Sequence, residues 1–319
     1  MRQKTIRMNK KIWLGLLTIY LIWGSTYLAI RFAIDSIPPY LMASFRFVIA
    51  GTILFIWRWL AGDARPTKRQ IFWAGIVGLF LIVGGNGSVT WAEQRIVSSV
   101  AALMIGTEPL WIVLLDSLNP RLPKPDWKSI LGVGVGFVGV VFLVSPSWSN
   151  LGIQNIDLIG AFVGILAAFL WAIGTIIARD SDLPKSPLLS TSIEMLVGSV
   201  VLLIFGTVSG EWSRLDISSI TIKSFFGLGY LIIFGSLVAF SVYLWLIRSA
   251  PTSLVMTYAY VTPIVAIILG FFLGGEDITW RILVSASLII GSVIMINASN
   301  QKQKILQTSP VPSDSIGKG

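Results

Sequence analysis

The sequence predicts an all-α membrane protein of ten transmembrane helices, built as two inverted five-helix repeats with both termini in the cytoplasm. Three observations predict it: the composition, a series of long apolar segments, and a similarity between the two halves of the chain. Of the 319 residues, 55% are hydrophobic and 12% are charged, whereas soluble domains carry about 25% charged residues. Because a soluble domain of this length cannot bury so much apolar surface, the lipid bilayer is the expected partner.

The composition also excludes several kinds of function. The chain has no cysteine and no histidine, which excludes disulfides, Ser–His mechanisms and the usual zinc and copper sites. We therefore expect no cofactor and no metal. An intramembrane aspartyl enzyme needs two facing Asp residues inside the membrane, and Asp116 lies at the end of its apolar segment, so an enzyme is not expected. The net charge of +9 does not indicate nucleic acid, because the Lys and Arg residues lie in short loops.

Ten apolar segments are long enough to cross a membrane, for which about 20 residues suffice. They are residues 12–34, 40–61, 70–91, 97–118, 129–146, 156–179, 188–209, 225–247, 253–274 and 280–298. The first of them follows Lys10 and Lys11 but is too long for the apolar region of a signal peptide.

Basic residues lie mainly in alternate loops, as they do on the cytoplasmic side of membrane proteins. Eighteen of the 24 Lys and Arg residues share the side of both termini, five lie on the other side, and Arg46 falls inside the second segment. This predicts a cytoplasmic N-terminal tail over residues 1–11. Residues 299–319 are polar and contain Pro310 and Pro312, which predicts a disordered cytoplasmic tail.

The two halves of the chain resemble one another. Residues 21–31 (LIWGSTYLAIR) align without a gap with residues 169–179 (FLWAIGTIIAR), and at the same offset Arg46 falls on Glu194. This similarity predicts two equivalent copies of one folding unit.

The predicted repeats cover residues 12–146 and 156–298, with five spans in each. Because five is an odd number, the second repeat enters the membrane from the opposite side. Inverted repeats can rock about a site at the membrane midplane and open it to either side in turn, as many secondary transporters do. The repeat therefore favours transport over a purely structural bundle.

Several stretches carry a resemblance to a known family. They are residues 21–31 (LIWGSTYLAIR), 36–40 (SIPPY), 45–47 (FRF), 84–89 (GGNGSV) with Ala92-Glu93, 193–196 (IEML), 229–236 (GYLIIFGS) and 253–263 (SLVMTYAYVTP). With the ten spans, they resemble the EamA family of the drug/metabolite transporter superfamily, and within it the YedA-like members. One departure is visible: family members often place a Gly-Glu pair after the fourth and ninth spans. Gly275-Glu276 follows the ninth here, but Leu118-Asn119-Pro120 follows the fourth.

The resemblance implies a secondary transporter of the bacterial cytoplasmic (inner) membrane. Such proteins export amino acids, related metabolites or amphipathic drugs by alternating access, often with coupling to protons, so a small-molecule substrate and protons are the expected partners. A lipid scramblase or flippase and a channel-like facilitator are the alternatives. A channel usually requires an oligomeric pore or a ring of charge, and the sequence shows no such pattern.

Glu108 is the clearest candidate for the transport site. It lies near the middle of the fourth span, where a charged side chain costs about 2.5–3.5 kcal/mol. We predict that it faces an interior cavity and binds a proton or a substrate amine. The alternative is a neutral carboxyl group that is hydrogen-bonded to a neighbouring helix.

Two prolines follow equivalent positions of the repeats. Pro109 adjoins Glu108 and aligns with Pro263. A proline inside a helix frees the carbonyl group four residues earlier, here those of Ile105 and Ala259. Both prolines are predicted to kink their helices toward a central cavity, unless the kinks serve packing alone.

Polar and aromatic side chains complete the predicted site. Ser253, Thr257 and Tyr260 recur at i, i+4 and i+7 and would form one stripe on the ninth helix. Trp23 and Tyr27 lie deep in the first helix and could stack on a ligand or hold a cation, although packing is the commoner role of such residues.

Three further residues have two interpretations each. Asn86 lies among Gly84, Gly85 and Gly87, where glycines permit an unwound, amide-lined site or close helix packing. Arg46 and Glu194 each lie roughly 9 Å from opposite membrane faces, at 1.5 Å per residue. They are predicted as gate or vestibule residues, with snorkelling to the interface as the alternative for Arg46.

Overall fold

The computed structural model describes residues 10–145, 156–250 and 252–308, and all regular elements in these ranges are helical. The ten longer helices are α1 (Lys10–Ala33), α2 (Pro39–Leu60), α3 (Lys68–Ala92), α4 (Ser98–Leu118), α5 (Trp127–Val144), α6 (Leu158–Asp180), α7 (Pro187–Val208), α8 (Ile222–Ile247), α9 (Tyr258–Gly274) and α10 (Trp280–Thr308). Each apolar segment predicted from the sequence corresponds to one of them. The last helix continues past residue 298 into the predicted tail, of which residues 309–319 lie outside the described ranges.

Nine of these helices, counted over the described residues, are long and apolar enough to cross a membrane. The exception is α9, which is a shorter apolar helix preceded by the one-turn helix Thr252–Val255. The count of ten spans and the cytoplasmic location of both termini therefore stay predictions.

Local sequence explains where several helices begin and end. Asp126 and Asp157 accept hydrogen bonds from backbone N–H groups in the first turns of α5 and α6, which satisfies donors that the helix itself leaves free. Glycines at positive φ follow α2, α7 and α9: Gly62 at 80°, Gly210 at 72° and Gly275 at 64°. In this conformation glycine ends a helix without steric cost. An acidic residue follows each of the three glycines.

The two halves contain the same irregularities at equivalent positions. A π-helical segment, Leu79–Gly87, interrupts α3, and its counterpart, Leu231–Val238, interrupts α8. A turn at residues 106–107 divides α4 into Ser98–Ile105 and Glu108–Leu118. The turn at residues 256–257 separates Thr252–Val255 from α9 in the same way.

Helix packing follows the same symmetry. The closest contacts between the halves pair α2 with α7 and α5 with α10. Helix α1 packs against α8 and α9, and its counterpart α6 packs against α3 and α4. Exchanging the halves leaves the pairs α2–α7 and α5–α10 unchanged and converts the contacts of α1 into those of α6, which is what a pseudo-two-fold axis requires.

The contact between α5 and α10 depends on small residues. A Cβ atom at Gly136 would overlap the Leu110 side chain and lie 2.6 Å from the Ser292 hydroxyl. Gly134, on the other face of α5, has no atom within 4 Å of such a Cβ. We expect Gly136→Val to lower the stability of the purified protein by about 1–3 kcal/mol through overpacking, measured as a lower thermal unfolding midpoint in detergent. Gly134→Val is the matched control, and an equal effect of both variants would contradict this packing.

Candidate functional site

A cavity of about 640 Å³ lies between the two halves of the protein. This volume is in the range of small-molecule binding sites. At one end the wall includes Leu183 and Pro184, in the loop between α6 and α7. At the other end it includes Ile30 and Val89, which are 2% and 5% exposed. The cavity therefore reaches a loop at one membrane face and ends among buried apolar side chains near the other.

Glu108 lies in the wall of this cavity. The turn at residues 106–107 makes it the first residue of a helical segment, Glu108–Leu118, where free backbone N–H groups favour a negative charge. The Thr175 hydroxyl donates a hydrogen bond to the Glu108 carboxyl group at 3.2 Å. One oxygen of this carboxyl group thus has a protein partner, and the group faces the space in which a ligand would lie. Pro109 follows in the same wall, at the start of the segment.

Aromatic side chains form much of the remaining wall. Trp23 and Tyr27 both line the cavity. The Trp23 ring packs against Phe240, Tyr243 and Tyr258, with ring centroids 5.7, 5.1 and 4.9 Å away. All three of these partners also face the cavity. Trp23 therefore belongs to an aromatic cluster that both packs and borders the site, so the two roles weighed for it are compatible.

Asn86 lines the cavity within the π-helical segment of α3. Its side-chain amide donates a long hydrogen bond of 3.4 Å to the Leu81 carbonyl group. Cβ atoms at the flanking Gly85 and Gly87 would overlap or crowd the side chains of Trp171 and Leu202. The glycines thus serve close helix packing, while the irregular helix turns the amide toward the cavity.

Arg46 and Glu194 lie in the cavity wall rather than at the membrane surface. Their exposed fractions are 4% and 8%. The Arg46 Nε donates to the Ser236 hydroxyl at 2.9 Å, and the guanidinium lies over the Phe47 ring. The ion pairs found among the described residues do not include Arg46. A buried guanidinium that faces a cavity without a carboxylate partner is suited to bind an anionic group.

Thr257 and Tyr260, the two described residues of the predicted polar stripe of the ninth helix, do not line the cavity. The turn at residues 256–257 separates the helical segments, so the spacing i, i+4, i+7 does not follow one continuous helix. The Thr257 hydroxyl pairs with the Tyr20 hydroxyl instead, and Tyr260 packs beside the cluster around Leu110. The side chain of Ser253 lies outside the described part of the structure. Thr262 of α9 faces the cavity instead.

Pro263 also lies outside the cavity wall. It is buried inside α9, and a Cβ atom at Gly106 would lie 3.3 Å from its ring. Pro263 thus packs against the turn of α4 that presents Glu108, so its contribution to the site is indirect.

A charged cluster that was not predicted from the sequence lies beyond the cavity end formed by Ile30 and Val89. Glu276 is buried and accepts hydrogen bonds from the Ser98 N–H and hydroxyl groups, both at 2.7 Å, and from the Ser99 N–H at 3.1 Å. Its carboxylate lies 3.9 Å from the Arg31 guanidinium. Glu93 completes the cluster. The Gly275-Glu276 pair was a visible signal, because an acidic residue after a helix-ending glycine can cap a neighbouring helix.

An ion pair at the other membrane face corresponds to this cluster. Arg179 aligns with Arg31 in the repeat, and its guanidinium donates to both carboxylate oxygens of Asp116, at 2.9 and 3.0 Å. Arg179 also contacts Asp180 at 3.0 Å. Both repeats therefore place an arginine beside a carboxylate where α1 meets α9 and where α6 meets α4.

Comparisons with known proteins agree with this architecture. Two stretches, residues 10–145 and 158–298, each match the EamA-like transporter family. The inner membrane transporter YedA of Escherichia coli K12 is 34% identical over 285 residues, covering 88% of this chain and 89% of that protein. The transporter YoaV of Bacillus subtilis is 22% identical, covering 92% and 99%. A solved crystal structure with 18% identity covers 90% of this chain and 97% of its own, with a TM-score of 0.57, which supports the fold alone.

Proposed function

Since this chain belongs to the EamA-like transporter family, we propose that it exports a small amphipathic metabolite or drug by alternating access. It is a membrane transporter, integral to the bacterial inner membrane. The observation that supports export of such a substrate is the cavity between the repeats. Two carboxyl groups, a guanidinium and an aromatic cluster line it.

The chemistry of the wall supports a substrate that carries an amine. Glu108 offers a carboxylate to an ammonium group, and the rings of Trp23, Tyr243 and Tyr258 stand in the same cavity. An ammonium group near aromatic faces gains about 0.5–2 kcal/mol from cation–π attraction. These features favour an organic amine with an apolar body over a sugar.

Arg46 adds a second requirement. Its guanidinium is buried, faces the cavity and has a hydroxyl partner rather than a carboxylate. A carboxylate on the substrate would compensate this charge. A zwitterion such as an amino acid or a related compound therefore satisfies Glu108 and Arg46 together, whereas a cationic drug satisfies a carboxylate only. Glu194, the other carboxyl group of the wall, accepts a hydrogen bond from the Ser190 hydroxyl at 2.8 Å.

The shape of the cavity supports alternating access. It reaches the α6–α7 loop, while Ile30, Val89 and the charged cluster beyond them close the opposite end. Because the repeats are related by a pseudo-two-fold axis, the exchange of their conformations would open the closed end and close the open one. We propose that a proton gradient drives this exchange.

The proposal predicts which compounds bind. We expect amino acids with apolar side chains, and more weakly cationic amphipathic drugs, to raise the thermal unfolding midpoint of the purified protein. A ligand at 100 times its dissociation constant adds about 2.7 kcal/mol of stability. Neutral sugars and nucleobases are the controls. Stabilisation by sugars, with none by amines, would contradict the proposed substrate class.

A further inference from the structure

Three charged residues meet just beyond the closed end of the cavity. Arg31 directly follows Ile30, and the Glu93 backbone N–H donates to the Val89 carbonyl at 3.0 Å. The third residue is Glu276, whose carboxylate lies 3.9 Å from Arg31. The cluster thus occupies the position that a substrate leaving at this membrane face would have to pass.

The cluster carries more negative charge than its partners compensate. Glu93 is 3% exposed. Within the described residues, neither of its carboxyl oxygens has a hydrogen-bond partner of normal geometry. The Arg31 backbone makes only a weak contact with this carboxyl group. Glu276 takes the hydrogen bonds of Ser98 and Ser99. The guanidinium of Arg31 forms its ion pair with Glu276, so within the described residues the buried Glu93 carboxyl group has no ion-pair partner, and an unpaired buried charge is costly.

The neighbours of Glu93 indicate which protonation state this arrangement favours. Burial, followed by the charge of Glu276, raises the pKa of Glu93 well above its usual range, and the charge of Arg31 opposes this. Tyr27 on α1 is a further titratable neighbour of Glu93 and also lies near Glu108. On its own segment the nearest charged residue is Arg95, which pairs with Asp157. A proton on Glu93 removes the surplus negative charge.

The corresponding cluster at the other face lacks this property. Arg179 also has two acidic neighbours, Asp116 and Asp180, but the three side chains are 42%, 28% and 56% exposed. Water can therefore compensate the additional charge there. Of these two clusters, the one at the closed end buries a carboxyl group whose charge is not compensated, and the other does not.

We propose that Glu93 is a proton-binding residue of the transport cycle, and that its protonation holds this end of the cavity closed while its ionisation opens it. The proposal rests on alternating access as the proposed function. The proton exchanges with water at the membrane face of the cluster, and no covalent bond changes. Opening hydrates Glu93, so the open state holds the proton more weakly than the closed state.

The sign of the pH effect follows from linkage. The closed state binds more protons than the open state, so rising pH favours opening. Between the two pKa values of Glu93, each pH unit changes the open-to-closed ratio by up to about tenfold. A fivefold rise in the open-to-closed ratio from pH 6 to 8.5 requires that about 0.7 pH unit of this range lie between the two pKa values.

The experiment uses the absence of native cysteine. A single cysteine is introduced at Val89, on the cavity side of the charged cluster. It is alkylated with a membrane-impermeant maleimide in intact spheroplasts or inverted vesicles. Ser219→Cys, exposed in the loop before α8 at the same membrane end, identifies the face to which the reagent is applied. It also corrects for the pH dependence of the thiol itself. We expect the labelling ratio of Val89→Cys to Ser219→Cys to rise about fivefold from pH 6 to 8.5.

Two variants test whether the pH dependence of labelling arises from Glu93 and its counter-ion. In the Val89→Cys background, Glu93→Gln should give low labelling at both pH values, because the neutral amide resembles the protonated acid. Arg31→Gln should move the rise in labelling to higher pH, because the charge of Arg31 no longer favours the ionised form of Glu93. A monodisperse elution profile identifies folded variants, and Arg31→Gln provides the test should Glu93→Gln fail to fold.

Three results would overturn the proposal: labelling independent of pH, an unchanged pH response in Glu93→Gln, or a pH response that moves to lower pH in Arg31→Gln. The proposed function is tested separately by adding an apolar amino acid that stabilises the protein. If that amino acid changes the labelling while pH does not, alternating access stands and the proton role of Glu93 fails. If neither changes it, alternating access fails as well.

Discussion

Glu108→Gln is expected to weaken the binding of amine-bearing ligands at least about 30-fold. Removing one partner of a buried charge pair costs about 2–5 kcal/mol, and each 1.4 kcal/mol is roughly a tenfold change in affinity. Glutamine keeps the size of the side chain and can still accept the Thr175 hydrogen bond, so the loss isolates the charge. Binding is measured by titration calorimetry with the amino acid that stabilises the protein most.

Asp116→Asn is the matched control for this prediction. It removes a carboxylate from the same helix, but Asp116 pairs with Arg179 outside the cavity wall. We expect its ligand affinity to stay within about threefold of the wild type, since exposed ion pairs contribute roughly 0–1 kcal/mol. Equal affinity in Glu108→Gln and the wild type would instead show that this carboxyl group does not bind the ligand.

Arg46→Gln is expected to remove the preference for a carboxylate on the ligand. Affinity for the amino acid should fall at least about 30-fold, again from a loss of about 2–5 kcal/mol. Affinity for the corresponding amino acid amide, which keeps the amine but has no negative charge, should change little. The comparison of the two ligands in one variant separates recognition from general damage to the fold.

A control for Arg46→Gln lies in the same helix. Arg58 pairs with Asp63 near the end of α2, away from the cavity, and that hydrogen bond lowers the Asp63 pKa to about 2. Arg58→Gln should leave both ligand affinities unchanged. If Arg46→Gln weakens the acid and the amide equally, Arg46 supports the site through packing and does not bind a carboxylate.

The helical framework could be predicted from the sequence, because each helix corresponds to a long, predominantly apolar segment of the chain. The match of residues 21–31 with residues 169–179 likewise indicated the repeat, and the family matches over both halves agree with it. Glu108 could be identified because an acidic residue in the middle of an apolar span is rare. These inferences depend on local composition and need no knowledge of which helices touch.

Other parts of the site depend on tertiary structure. The predicted stripe of Thr257 and Tyr260 assumed an unbroken helix, and the turn at residues 256–257 changes which face of α9 meets the cavity. The importance of Glu93 also could not be recognised, since its neighbours Arg31 and Glu276 come from distant parts of the chain. A residue at a span end is expected to face water, and only the packing of α1 and α9 around it shows that it is buried.

Counterflow tests the central claim, alternating access through the cavity, most directly. Purified protein is reconstituted into liposomes that are loaded with the stabilising amino acid and diluted into a trace of the same compound in radiolabelled form. We expect the label to accumulate transiently above its external concentration in liposomes that contain the wild-type protein. We expect no such accumulation in liposomes that contain Glu108→Gln. A monotonic approach to equilibrium, without overshoot, would contradict alternating access and indicate a channel-like facilitator.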